Sequence, residues 1–254
     1  MSPPNKATAK ALCNHPEWIG RADCRQCGIL QQVLFSDLSE DDLESILDGI
    51  FEPIDQYGYP PGTVLYHQGG QDNAAFTIRD GLVKLVRYGP DGDERIIRLL
   101  KRGDSMGLER LLGDSYEHTA IAVRNVKVCR IPLTVMQRLN ADKPRLYRTL
   151  MEHWSACLFQ ADDHIMLLLS GTVRNRVINL IRWLAKVEAT EEKGKVELLS
   201  GKEMASMLGV TIESVSRVIA DLKRKKVLRY LGSSLYEYDA NALNAYATAE
   251  RKAS

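Results

Sequence analysis

Nothing in the 254 residues approaches the ~18 consecutive apolar positions of a membrane span. The opening residues MSPPNKATAKALC also lack the apolar core of a secretory leader. A cytoplasmic protein with no membrane partner is therefore expected. Cysteine is scarce, five in the chain, which excludes a disulfide-stapled scaffold. Net charge is nearly absent at +1, so attraction for a polyanion has to come from how charge is distributed. Compositional bias is missing too: 44% hydrophobic and 26% charged residues are ordinary for a globular protein of one or two domains.

The scarce features are unevenly placed. Residues 171–229 hold 13 Lys/Arg against 7 Asp/Glu, leaving the rest of the chain at −5. A basic segment of that kind suits a phosphate backbone. Three of the five cysteines, Cys13, Cys24 and Cys27, crowd into the first 27 residues as C-x10-C-x2-C, with Pro16 and Gly20 in the intervening loop. Crowded cytosolic thiols point to metal or redox chemistry.

The basic segment contains LLSGKEMASMLGVTIESVSRVIADLKRKKVLR, Leu198 to Arg229, which reads as two short helices joined by a tight turn. Ser200 and Glu203 form an S-x-x-E capping box ahead of Met204, Met207 and Leu208. Gly209 supplies the positive φ of the turn, and Thr211 caps the second helix. At about 100° per residue, Ile212, Val215, Ile219 and Leu222 share one face, while Glu213, Ser216, Arg217 and Ala220 gather opposite. A carboxylate accepts from cytosine N4 and a guanidinium forks onto guanine O6 and N7, so Glu213 and Arg217 suit base reading. The same pair at i, i+4 also fits a salt bridge on a solvated helix. RYLGSSLYEY, 229–238, reads as a hairpin around Gly232, a wing beside the helix pair.

Upstream, FSDLSEDDLESILDGI at 35–50 reads as a short leading helix. From about Ile54 to Pro132, Gly and Pro recur at turn spacing between β-rich runs, TVLYHQ, AAFTIR, LVKLVRY, RIIRLL and VKVCRIP. Many short strands with regular turns predict a small barrel or roll. Pro144 opens a long helix to about Ser170 with two stripes. One runs Tyr147, Leu150, Trp154, Cys157, Ala161, His164, Leu168 and the other Ser155, Phe159, Asp162, Met166, Leu169. Two stripes need two partners, so one face is assigned to the roll and the other to a second copy of the chain. After Gly171, the residues Val173, Val177, Leu180, Ile181 and Leu184 define an amphipathic helix that leads to strand VELL and the helix pair.

This order of elements resembles the Crp/Fnr superfamily of bacterial transcription regulators over nearly the whole chain. TIESVSRVI, with Glu213, Ser216 and Arg217 as E-x-x-S-R, is similar to the recognition helix of the oxygen-responsive Fnr branch. VCRIP places Cys129 where that branch has an internal cluster ligand, and DDHIMLLLS resembles the end of its dimer helix. The resemblance implies an α+β chain in four parts. These are a cysteine-rich sensor segment (1–33), a cyclic-nucleotide-binding-like β-roll (34–143), a dimerisation helix (144–170) and a winged helix-turn-helix (171–254). It implies a homodimeric, non-enzymatic regulator that acts on RNA polymerase at promoter DNA. The expected site is a palindrome close to TTGAT-N4-ATCAA, with Glu213, Ser216 and Arg217 facing the bases and Lys223, Arg224 and the run to Lys226 near phosphate. The acidic hairpin Pro90 to Glu94 is the expected polymerase contact.

Effector chemistry divides the family. Cyclic-nucleotide members hold ribose with a Glu after the cassette Gly, and phosphate with an Arg before Ser/Thr-Ala; those places match Leu108, after Gly107, and His118, before Thr119 and Ala120. Cyclic AMP is therefore not expected as the effector, and Glu109 and Arg110 read as surface charges. The oxygen-sensing branch binds a 4Fe-4S cluster through three N-terminal cysteines and one internal one. Cys24 and Cys27 match its C-x2-C pair and Cys129 its internal ligand, but the family's next cysteine falls on Val33, so Cys13 is the expected fourth thiolate. Other readings stay open: a zinc knuckle of Cys13, His15, Cys24 and Cys27, thiol redox sensing, or haem on His67, His118, His153 or His164. A cyclic-nucleotide-binding regulatory subunit without DNA contact is a further rival, against which Glu213, Arg217 and the basic run count. Cys157 reads as a small core residue. Phe159, Asp162 and Met166 form the expected dimer switch: two Asp162 carboxylates at roughly 6 Å, with an effective dielectric near 20, repel by about 2.8 kcal/mol.

Overall fold

The computed structural model describes residues 16–23, 53–142, 144–187 and 194–248. Cys13, His15, Cys24, Cys27, Val33 and the leading helix expected over 35–50 lie outside the described residues. The chain divides into two compact units: residues up to Arg87 with Ile97–Ala156, and Tyr88–Ile96 with residues from Cys157 onward. Among the described residues no helix is long and apolar enough to cross a membrane.

The turn-rich stretch forms the roll. Its strands are β1 (Glu17–Arg21), β2 (Asp55–Tyr59), β3 (Val64–Tyr66), β4 (Ala74–Asp80), β5 (Val83–Tyr88), β6 (Glu94–Leu100), β7 (Ser105–Met106), β8 (Thr119–Ala122) and β9 (Val126–Pro132). One sheet runs β1-β2-β9-β4-β7 and the other β3-β8-β5-β6. Period-2 patterning sets the faces: on β9, Val126 and Val128 are buried while Lys127 is exposed and Cys129 partly so. The buried set closes on a core that includes Tyr66, Phe76, Ile78, Tyr116 and Val128. A short 3-10 helix, Leu108–Leu111, follows β7, and α1 (Leu133–Asp142) follows β9.

Two of these elements were not expected. EWIGR lies in what reads as a loop, yet it pairs antiparallel with β2 through Trp18↔Tyr57, Gly20↔Gln56 and Arg21↔Asp55. Its partner is more than thirty residues away, so no local signal marks it. Helix α1 buries Leu133, Val135 and Met136 but is only 10 residues long and abuts Pro144, so it merges with the longer helix when read as sequence.

The long helix α2 spans Pro144–Leu168. In the second unit, α3 (Val173–Val187), β10 (Lys195–Glu197), α4 (Gly201–Leu208), α5 (Ile212–Arg224), β11 (Leu228–Gly232), β12 (Leu235–Tyr238) and α6 (Ala240–Thr248) follow in order, with a sheet β10-β12-β11. The apolar face of α3 buries Val177, Ile178, Leu180, Ile181 and Leu184, and α4 and α5 contribute Met204, Leu208, Val215 and Leu222 to the interior. Each such side chain contributes about 1.5–3 kcal/mol when fully buried. Helix α6, unforeseen, starts where Asp239 Oδ1 accepts from the Asn241 and Ala242 N–H groups at 2.8 and 3.0 Å. The wing turns through Ser233 and Ser234, both at positive φ (45° and 67°), as a two-residue hairpin loop requires.

Candidate nucleic-acid interface and sensor site

Helix α4 begins at the capping box. Ser200 Oγ accepts from the Glu203 N–H at 3.2 Å, and Glu203 Oε2 accepts from the Ser200 N–H at 3.1 Å. It ends at Gly209, in the left-handed region at φ 64° and ψ 42°. Thr211 Oγ1 then accepts from the Ser214 N–H at 3.2 Å and starts α5. Caps of this kind are worth about 1 kcal/mol each and fix where the second helix points. On α5, Val215 and Leu222 are buried, and Glu213, Ser216, Arg217 and Ala220 are exposed together. No ion pair joins Glu213 to Arg217 among the described residues. Ile212, expected on the buried face, is 46% exposed and stands at the first position of α5, a turn ahead of the buried Val215.

The basic run is held by its own unit. Lys223 Nζ lies 5.5 and 5.1 Å from the ring centres of the wing residues Tyr230 and Tyr236. Arg224 and Lys225 pair with Asp221, the latter at 3.4 Å. The Tyr246 hydroxyl of α6 also donates to Asp221, and that bond, ahead of the two cations, holds the carboxyl below its ordinary range. Between α5 and the wing lies a cleft of about 380 Å³, lined among others by Ser200, Ser216, Ala220, Lys223, Ser234 and Tyr236. Hydroxyls and a fixed ammonium therefore flank the exposed face of the second helix.

Within the roll, tyrosine is packed as core. Tyr66 and Tyr116 stack with centroids 3.9 Å apart, Phe76 lies 5.7 Å from Tyr66, and the Tyr116 hydroxyl donates to Ala74 O at 2.6 Å. Burial pushes Tyr116 up to about 12 and raises Tyr66 well above its ordinary value, so both rings stay neutral. Gly107 sits at φ 76°, and a Cβ there would lie 2.9 Å from the Tyr116 ring. Leu108 is buried, and His118 is half-buried, its pKa lowered chiefly by desolvation against the opposing pull of Glu109. Arg110 is not a free surface charge. It donates to the backbone oxygens of Asp72, Gln71 and Gly113 at 3.2, 3.2 and 2.7 Å and lies over the Tyr116 ring.

Cys129 lies on the outer face of the first sheet, in a row that runs Gly20, Gln56, Cys129, Thr77 across β1, β2, β9 and β4. Its thiol is partly exposed and receives a hydrogen bond from Arg79 Nη1 at 3.6 Å. Among the described residues no three His, Cys, Asp or Glu side chains gather into a metal-holding group. Cys157 on α2 is a free, partly buried thiol. His67 is exposed, and His164 packs edge-on against Trp183 at 5.7 Å.

Residues 58–142 match the cyclic nucleotide-binding domain family, and residues 175–246 match the Crp-like helix-turn-helix domain family. The chain belongs to the Crp/Fnr family. Its curated relatives include the fumarate and nitrate reduction regulatory proteins of Salmonella typhi (26% identity, 88% of this chain, 90% of the relative) and Escherichia coli K12 (26%, 87% and 88%). The anaerobic regulatory protein of Pasteurella multocida is similar at 26% over 87% of this chain and 81% of its own. Among solved structures, a Crp/Fnr-family transcriptional regulator from Thermus thermophilus superposes with TM-score 0.62 at 25% identity, covering 76% of this chain and 98% of that one. FixK2 from Bradyrhizobium japonicum, at TM-score 0.66 and 22% identity over 75% and 96%, shares the fold. Crp/Fnr proteins are DNA-binding transcription regulators and not enzymes, and that holds for this chain.

Read as a Crp/Fnr helix, α2 carries a feature that stripe counting only partly captured. Met151, Ser155, Leu158, Asp162, Ile165 and Leu169 follow each other in alternating steps of four and three, the seam of a coiled coil. Met151, Leu158 and Ile165 are 60, 69 and 55% exposed, and the flanking Phe159 and Met166 are each 68% exposed. Asp162 sits within that seam and is exposed. Phe159, Asp162 and Met166 belong to the expected switch, whereas Met151, Leu158 and Ile165 fall outside both expected stripes. Their exact heptad spacing was the signal that would have found them.

Proposed function

We propose that this Crp/Fnr regulator is a cytoplasmic homodimer that senses oxygen or redox state through a 4Fe-4S cluster held by Cys129 together with Cys13, Cys24 and Cys27. The observation that carries the reading is the ladder from β1 to β9. Gly20 pairs with Gln56, and Gln56 with Cys129. Two ladder steps of ~4.8 Å put the Gly20 backbone about 10 Å from that of Cys129. Cys24 follows Gly20 by four residues, and at ~3.5 Å per residue such a tether reaches ~14 Å, enough to close the gap. Thiolates are the soft donors an iron-sulfur cluster takes, and Cys129 offers one that is partly exposed, so it fits that role. When bound, such a cluster supplies an oxygen-labile iron centre. The chain's own residues do the rest: β1 tethers the N-terminal segment to the sheet, and β9 fixes one thiol on its outer face.

The four-part division at 1–33, 34–143, 144–170 and 171–254 belongs to this reading. So does a dimer closed through the seam of α2, where apolar contacts oppose the repulsion between paired Asp162 carboxylates. Glu213, Ser216 and Arg217 would read the bases of a TTGAT-N4-ATCAA-like palindrome. Lys223 and Arg224 would contact phosphate, and the loop Pro90–Glu94 would contact RNA polymerase. Relatives whose names refer to anaerobic and fumarate–nitrate regulation support the oxygen response, and Leu108 and His118, at the positions that match the ribose and phosphate contacts, support an effector other than a cyclic nucleotide.

Anaerobic reconstitution with iron and sulfide tests the proposal. The wild type should gain cluster absorbance and four irons per chain (from a 4Fe-4S stoichiometry of about 4), and Cys13→Ala, Cys24→Ala, Cys27→Ala and Cys129→Ala should each lose both, with Cys157→Ala unaffected. Retained zinc with no iron uptake would replace this reading with a zinc-stapled regulator. Full iron content in Cys13→Ala would transfer the fourth position to another donor, such as His15.

A further inference from the structure

We infer that Arg79 is a positioning residue for the Cys129 sulfur, tuning the reduction potential of the cluster that this thiolate is proposed to hold; the inference rests on that reading. The pairing of β4 with β9 is the starting point. Phe76↔Arg130, Thr77↔Cys129 and Ile78↔Val128 are regular, and an unbroken ladder would next set Arg79 opposite Lys127, two cations face to face. The register breaks there. Asp80, not Arg79, stands opposite Lys127, so β4 carries one extra residue and that residue is Arg79. A bulge releases its residue from the ladder and re-aims the side chain. The re-aimed guanidinium donates through Nη1 to Cys129 Sγ at 3.6 Å.

Two further contacts hold the arrangement. On the same face, Thr77 Oγ1 and Ser105 Oγ are hydrogen-bonded at 3.1 Å and buried, which anchors β4 beside β7 just ahead of the bulge. On the other side of Cys129 lies Gln56 of β2, the strand that carries β1. Arg79 thus brings a cation to the sulfur, and a guanidinium keeps its charge at any pH the protein meets. Hydrogen bonds and positive charge at a ligand sulfur favour the more negative, reduced state of an iron-sulfur centre.

The test is an anaerobic redox titration of the reconstituted full-length protein and of Arg79→Gln and Arg79→Lys, in which one electron enters the cluster and no atom leaves. Arg79→Gln removes the charge and should load iron to the wild-type level while its midpoint moves to more negative potential by at least a tenfold change in the one-electron equilibrium, ~59 mV. Arg79→Lys keeps the charge without the planar fork and should shift less. The thermal midpoint of the cluster-free protein should be the same in all three, which separates tuning from loss of fold. A wild-type potential in fully loaded Arg79→Gln overturns the inference and leaves the cluster reading standing. A wild type that takes up no iron overturns the cluster reading itself, and the two failures are told apart by iron content alone.

Discussion

The roll and the winged helix-turn-helix dispose of their polar and aromatic groups in opposite ways. In the roll, Tyr66 and Tyr116 turn inward, stack, and are sealed into the core by the hydrogen bond from Tyr116 to Ala74 O. In the helix-turn-helix, a capping box, a left-handed glycine and a threonine cap align α5 so that Glu213, Ser216 and Arg217 face outward. The wing tyrosines hold Lys223 beside them. One region buries its aromatic groups as core, and the other presents polar side chains by fixing the backbone beneath them. The lesson is that the roll's interior rests on packing between segments far apart in the chain, whereas the exposed polar face of α5 rests on local backbone geometry.

That contrast is open to direct attack. Tyr116→Ala should cost about 3–5 kcal/mol in urea unfolding, the range for deleting a buried aromatic. A loss below about 1 kcal/mol would show that the roll's interior does not depend on the stacked pair. On the presented side, Asp162→Ala removes a repulsion of about 2.8 kcal/mol and should tighten dimerisation of the cluster-free protein about a hundredfold in aerobic sedimentation. A mutant still monomeric in air, or a wild type already dimeric without its cluster, would move the switch off α2. Arg217→Ala should weaken binding to the cognate palindrome by about 1–3 kcal/mol per half-site and relax specificity at one position. Equal weakening on every sequence would assign Arg217 to phosphate.

The smallest effect belongs to His118. Its folded pKa lies below the ordinary value of 6.5, mainly through burial, so the unfolded chain takes up a proton first. Stability should therefore be flat above that value and fall as pH drops through it toward the folded pKa. His118→Gln should flatten the profile in urea midpoints measured across that window. An unchanged profile would place the titration elsewhere in the chain.

Much of the helix-turn-helix was legible because its signals are local: Ser200 to Glu203, Gly209 and Thr211 act over one helical turn, and the structure realises each. The strands of the roll were legible for the same reason, since turn residues punctuate alternating runs, and β9 matches VKVCRIP residue for residue. Strand β1 was not legible, because its evidence is a partner strand distant in sequence. Nor was the role of Arg110, which sequence spacing left as a surface charge and which three backbone carbonyls and a tyrosine ring hold in place.

By itself the sequence determined most strands of the roll, the caps and the polar face of α5, because each depends on residue chemistry within a few positions. Only the tertiary structure decided that Tyr66 and Tyr116 stack in the core of the roll, that β1 lies two strands from Cys129, and that a bulge at Arg79 accompanies its contact with the sulfur. Those are matters of register and packing between segments far apart in the chain, where a shift of one residue reverses which face a side chain occupies.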